Sequence, residues 1–214
     1  SGCSTTAGAW TDPPDRAVRI LLLSGEHPRV PGRTGGIGSV VASAAAALAD
    51  AGHEVHVMVC ASGLATHDVL DGGVRLHVRG LAPALRPLRG QAPRLLAVAA
   101  SCRWHARRLG RFDVVESPEW QALAAGFAGS RGAPLVIFLQ TPGSVIAAHD
   151  PRSPRPSRAA DALERAVVRR ADAVLSLSRL LVDELRATGW LPPDLDVEAS
   201  PPVLDARRAK LLDI

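Results

Sequence analysis

The stretch RTGGIGSVV, residues 33–41, sets three glycines between a short apolar run and a run of small, helix-forming residues. A helix N-terminus leaves amide hydrogens unpaired and carries partial positive charge. Glycines let a phosphate reach such a backbone with no side chain in the way. Gly35, Gly36, Ile37 and Gly38 are therefore candidates to bind a diphosphate through backbone N–H groups. A turn that needs glycine only for its shape and for close helix packing would look the same. A nicotinamide fingerprint fits poorly, because a third glycine counted from Gly36 would fall at Val41. The loop before the glycines is also long for a tight dinucleotide turn, and Cys60 stands where an acid should end the second strand. No Gly-Lys-Ser/Thr follows, which removes the P-loop.

Other polar groups compete for chemical roles. Glu116 and Glu119 flank the end of the apolar run FDVVE, where carboxylates can bind hydroxyls or accept a proton. Glu119 could equally serve only to complement the dipole of a following helix. Ser176 and Ser178 end the sixth strand, Ser178 reading as a helix cap or as a cleft residue, and Arg179 reads as a solvated first-turn cation or an anion contact. No pair of histidines has metal-ligand spacing, and Asp194-Leu195-Asp196 reads as the start of a strand, so no metal is implied. Arg103, Arg107 and Arg111 fall four apart, on one helix face, with Arg108 beside them. That face is either solvated or a patch for anionic lipid or glycan. Nucleic acid is not expected, because the basic residues are not interleaved with stacking aromatics. Trp104 and Trp120 read as core or helix-packing residues, Trp120 close to the expected cleft.

These groups need a scaffold, and its elements are legible. Residues 18–25, 54–60, 73–80, 112–116, 133–140, 171–178 and 194–200 read as strands, with the third near a sheet edge. Helices are expected over about 39–52, stopped by Gly52, then 95–109, 117–128, 158–170 and 179–189. Ser117 and Pro118 are expected at the N-cap and first turn of the third of these helices, and residues 141–157 as a loop. Strands alternating with helices imply an α/β fold: a doubly wound, mostly parallel Rossmann-like sheet with helices on both faces.

Composition agrees. The chain has 214 residues, 47% of them hydrophobic, yet only three Phe, four Trp and no Tyr. Its core must be built from Ala, Val and Leu, which suits a buried parallel sheet. The net charge of +4 is carried almost wholly by arginine, Lys210 being the only lysine, and permits anionic partners without naming one. Cys3, Cys60 and Cys102 are odd in number and far apart, so neither a disulfide framework nor a zinc site follows, and a reducing cytoplasm is expected. A peripheral seat at the inner membrane face goes with the lipid reading of the arginines. Residues 1–17 read as a disordered leader, 18–200 as one domain and 201–214 as a linker or tail.

Glu26-His27-Pro28, Gly35-Gly36-Ile37-Gly38-Ser39 and Ala51-Gly52-His53-Glu54-Val55, followed in order by FDVVE, QTPG and ADAVLSLS, resemble the N-terminal half of a family 4 glycosyltransferase. The resemblance covers roughly residues 18–200. It implies one lobe of a GT-B fold, a retaining transfer of a hexose from a nucleotide-diphosphate sugar to a hydroxyl acceptor, and no further cofactor. On that basis Gly35, Gly36, Ile37 and Gly38 face the donor, while Glu116 and Glu119 are the catalytic candidates. Gln140, Thr141 and His149 are then expected on the acceptor side. Pro201, Pro202 and Asp205 resemble the interdomain linker, so a nucleotide-holding C-terminal domain is expected as a partner in cis or in trans, and the isolated chain is expected to be inactive. Two family histidines have no counterpart here: Pro118 and Gln140 stand in their places. Gln140 can hydrogen-bond sugar hydroxyls but cannot relay a proton. The resemblance also implies that the leaving diphosphate helps to deprotonate the acceptor, which lightens the need for a protein base. The alternative is a Rossmann-like binding or regulatory domain that keeps the fold without the chemistry.

Overall fold

The first strand, β1 (Arg19–Ser24), is buried along nearly its whole length, and everything else is arranged around it. A computed structural model describes residues 16–81, 83–85, 89–150 and 152–199. Residues 1–15 of the expected leader, Cys3 among them, and the expected linker with Pro201, Pro202 and Asp205 lie outside the described residues. After β1 come α1 (Gly36–Asp50), β2 (Glu54–Cys60), β3 (His67–Asp71), β4 (Val74–Arg79), α2 (Gln91–Leu109), β5 (Val114–Pro118) and a 3-10 segment (Trp120–Gly126). Then follow β6 (Leu135–Leu139), α3 (Gly143–His149), α4 (Arg158–Val168), β7 (Ala173–Ser176), α5 (Arg179–Ala187) and β8 (Glu198–Ala199).

The strands form one sheet in the order β3-β4-β2-β1-β5-β6-β7-β8, parallel throughout except for the antiparallel β3–β4 pair. Alternate residues of each strand feed two cores. Ile20, Leu22, Val57, Val59 and Val136 pack with Val41, Ala45 and Leu48 of α1 on one face. Leu21, Leu23, Met58 and Ile137 pack with Cys102 and Ala106 of α2 and with residues of α4 and α5 on the other. The doubly wound, mostly parallel Rossmann-like reading therefore holds. Among the described residues no helix is long and apolar enough to cross a membrane.

Some expectations need correction. The strand expected near the edge is β4, and it is covered by β3, a strand not among those expected. Gly72 and Gly73 take φ of 55° and 85°, the signature of a two-residue hairpin turn, and β3 is largely exposed. With so much of it exposed, HDVLD carried too little apolar signal to be read as a strand. Strand β5 runs two residues later than expected, so Ser117 and Pro118 lie in the strand rather than at a helix start. Proline is tolerated there because β1 pairs with β5 only as far as Glu116, and beyond it only β6 is paired. The helix expected to follow is a 3-10 segment broken by Gln121 (φ 62°) and Ala122 (φ 47°). Part of the expected loop 141–157 is helix α3, and α2 begins at Gln91, with Pro93 in its first turn, where its missing N–H costs nothing.

Two buried histidines brace the β3–β4–β2 edge. His56 Nδ1 and His77 Nε2 lie 2.9 Å apart, His77 Nδ1 meets Asp68 Oδ1 at 2.8 Å, and His56 Nε2 meets Glu54 Oε1 at 3.0 Å. At the amino end of β1, Arg19 ties neighbouring segments together: its amide donates to Asp113 Oδ2 at 2.7 Å, and its guanidinium donates to the Leu109 and Arg111 carbonyls at 2.8 Å each.

Candidate active site

The order of the strands reverses between β1 and β5, which opens a crevice beyond their carboxyl ends. The loop after β1 is tied to itself. The Ser24 hydroxyl donates to the Glu26 carbonyl at 2.6 Å, and the His27 amide donates to the Arg33 carbonyl at 2.7 Å. Helix α1 starts at Gly36 with Gly35 as an extended N-cap, and no side chain caps its first amides. The three glycines have separate reasons. A Cβ on Gly38, which is buried, would come within 2.8 Å of the Glu26 carbonyl carbon and 2.9 Å of the His27 nitrogen, so Gly38 serves close packing. A Cβ on Gly35 would collide with the Glu26 carboxylate. Gly36 is exposed, with nothing within 4 Å of the corresponding point. It is the member of the set that leaves the uncapped helix end open to an anion. Ile37 is half-buried and packs against the α1-side core.

Across the crevice, Glu116 is buried in the middle of β5 rather than at its end. Glu119 lies just past the strand and is wholly buried; its Oε2 accepts the Gln140 amide at 2.8 Å. Burial, reinforced by the charge of Glu164, raises the Glu119 carboxyl to about 7 against the pull of the Gln140 amide. Glu164, on α4, was not singled out in the sequence. It too is raised to about 7, by burial and by Asp161, while the Gln121 amide donates to its Oε1 at 2.9 Å. Glu119 Oε1, Glu164 Oε2 and Gln140 Nε2 are buried without a hydrogen-bond partner among the described residues. Two carboxyl groups poised near neutrality can each hold or release a proton at physiological pH.

Glu164 also lines a cavity of about 530 Å³ with Gln91, Arg94, Trp120, Gln121 and Gly143. Gln121 reaches from this cavity toward the loop after β1, since its Oε1 lies 3.0 Å from where a Cβ on Gly25, just past β1, would stand. Trp120 thus lies on the cavity wall, whereas Trp104 is 42% exposed on α2, with the Arg108 guanidinium 3.3 Å from its ring centre. Gln140 and Thr141 are half-buried next to Glu119, with the Thr141 hydroxyl donating to the Gln140 carbonyl at 2.6 Å. His149 is not brought to the cavity. It is exposed at the end of α3, its Nε2 2.6 Å from Glu184 Oε1 on α5. Ser178 caps α5 through the Leu181 amide at 3.2 Å, and Arg179 beside it is exposed. The sequence signal that could have found Glu164 is its place in α4, an acid among residues that pack inward at helical spacing.

The sequence profile of the glycosyl transferase 4-like domain matches residues 35–199. Among solved structures, the chain is similar to sucrose-phosphate synthase from Thermosynechococcus elongatus, with a TM-score of 0.68 at 17% identity over 90% of this chain and 52% of that one. A second solved chain of the same synthase gives a TM-score of 0.55 at 13% identity, covering 90% of this chain and 94% of that one. The chain thus spans about half the length of the first synthase structure. At these identities the likeness shows the fold. No curated protein matches the sequence.

Proposed function

This chain belongs to the glycosyl transferase 4-like domain family, and from that membership we propose that it is the acceptor-side lobe of a retaining glycosyltransferase. The reaction moves a hexose from a nucleotide-diphosphate sugar to a hydroxyl acceptor. The observation that supports this reading best is the open, uncapped start of α1 at Gly36, placed at the β1–β5 switch point and linked through Gln121 to a cavity walled by a buried carboxyl. The Gly36–Gly38 amides receive the donor's diphosphate and the Glu164 cavity receives the acceptor. Glu164 binds the attacking hydroxyl and takes its proton when ionised. Glu119 positions the Gln140–Thr141 segment by holding the Gln140 amide, which leaves the Gln140 side-chain amide to a sugar hydroxyl. The nucleotide is held by a second lobe, in cis or in trans, and this chain by itself does not turn over. Its setting is the cytoplasm.

One observation favours a second reading, a binding module without transfer chemistry. Pro118 and Gln140 replace the two family histidines, and His149 is engaged with Glu184 instead. The test joins this chain to a nucleotide-binding second lobe and screens nucleotide sugars by hydrolysis, acceptor glycosylation and melting temperature. Stabilisation together with a product of unchanged anomeric configuration, read by NMR, supports the enzyme. Stabilisation without product supports the binding module, and an inverted product overturns the retaining mechanism.

A further inference from the structure

At the opposite edge of the sheet, where β5 and β6 begin, lies a cavity of about 660 Å³. Four arginines line it: Arg103 and Arg107 from α2, Arg111 just after that helix, and Arg131 from the turn before β6. Among the described residues Asp113 is the only acid lining it, and its Oδ2 already accepts the Arg19 amide. Among the described residues none of the four guanidinium groups has an ion-pair partner. Arg103 is partly buried, its guanidinium 5.1 Å from the Phe127 ring centre and within 3.8 Å of a Cβ position on Gly132.

A cation near a helix C-terminus ordinarily serves the last carbonyls. Here Arg19 donates to the carbonyl of Leu109, the last residue of α2, and to that of Arg111 beyond it. Like charges converging on a concave site repel one another, and burial together with the charge of Arg107 lowers the Arg103 pKa. An anion with several acceptor oxygens would reverse that balance, and guanidinium groups match phosphate oxygens in geometry. The volume lies within the range of small-molecule sites.

We propose that this arginine-lined cavity is a second ligand site, which binds a phosphomonoester or diphosphate group at the amino edge of the sheet. It is separated from the transfer site by the length of β5 and does not depend on the transfer reading. The phosphate can come from a soluble molecule or from a lipid head group.

The test measures binding of inorganic pyrophosphate by calorimetry, and of vesicles containing phosphatidic acid, a lipid phosphomonoester, against phosphatidylcholine by sedimentation. It compares the parent chain with Arg107→Ala/Arg131→Ala and with Gly36→Asp. Arg107 and Arg131 are exposed, so the double variant should keep the parent's melting temperature. Expected is binding that weakens by at least about tenfold in the arginine variant, persists in Gly36→Asp, and declines with salt. Pyrophosphate binding assigns a soluble ligand; binding of phosphatidic acid vesicles alone assigns a lipid head group. Binding equal to the parent in the arginine variant overturns the proposal, as does no binding of either probe. Loss in Gly36→Asp alone overturns it too, while leaving the transfer reading intact.

Discussion

The Gln121 amide donates to Glu164 Oε1 at 2.9 Å because Gln121 stands in a left-handed backbone conformation that turns its N–H toward α4. This contact fixes one carboxyl oxygen and leaves the other buried and unmatched at the cavity wall. Glu164→Gln keeps an acceptor for the Gln121 amide but cannot titrate. In the two-lobe enzyme its kcat should fall by about 10²-fold or more, the usual worth of a positioned base. The pH–rate limb near 7 should vanish and the melting temperature should change little. Glu164→Ala, which strands the amide, should instead lose about 1–3 kcal/mol of stability. A Glu164→Gln variant with parental kcat and pH profile would remove Glu164 from the mechanism.

Glu119 offers a pH test that needs no substrate. Its folded pKa of about 7 lies above the ordinary carboxyl value of 4.5. Between those values the folded chain keeps a proton that the unfolded chain has released. The stabilising contribution is complete below 4.5, is lost as pH rises, and is gone above about 7. Glu119→Gln removes that dependence and leaves an offset that does not vary with pH. The melting temperature of the variant minus that of the parent should therefore increase from pH 5 to pH 8. The change corresponds to roughly 3 kcal/mol at most. Thermal melts at the two pH values decide it, and a difference that stays flat or falls would show that the carboxyl is ionised throughout.

The sheet was legible because parallel strands buried on both faces read as continuous apolar runs, as LLL in β1 and LVIFL in β6 do. The glycine-rich start of α1 was legible for a related reason, since glycines cluster where backbone must come close to backbone. What escaped has physical causes. β3 is an exposed edge strand announced only by Gly72-Gly73. The break at Gln121 and Ala122 is a left-handed turn built without glycine, which no composition rule anticipates. Glu164 is distant in sequence from Glu119, and only the packing of α4 against the 3-10 segment makes one carboxyl feel the other.

Gly36 and Gly38 meet opposite surroundings within one motif, open space at one and packed backbone at the other. Gly38→Ala places a methyl against the Glu26–His27 backbone, which cannot swing aside, and should cost about 1–3 kcal/mol. Gly36→Ala meets nothing and replaces a poor helix former with a good one, so its melting temperature should hold or rise slightly. Its affinity for a nucleotide sugar in the two-lobe form should nonetheless fall, because the methyl sits on the approach to the α1 amides. Parental donor binding by Gly36→Ala would show that this approach is not used.

Gln121 carries both strain and contact, and two substitutions divide them. A non-glycine residue at φ 62° and ψ 11° costs about 1–2 kcal/mol. Gln121→Gly relieves that cost and keeps the amide bonded to Glu164, so thermal melts should show an equal or higher midpoint. It also deletes the side chain that reaches from the cavity toward Gly25, and kcat/KM of the two-lobe enzyme should drop. Gln121→Val keeps a side chain but adds a β-branch that the left-handed region resists, so it should melt earlier than the parent. Strained backbone of this kind clusters at functional sites, which makes Gln121 a residue to test. If Gln121→Gly is stabilised and fully active, the bridge between donor loop and acceptor cavity plays no part in transfer.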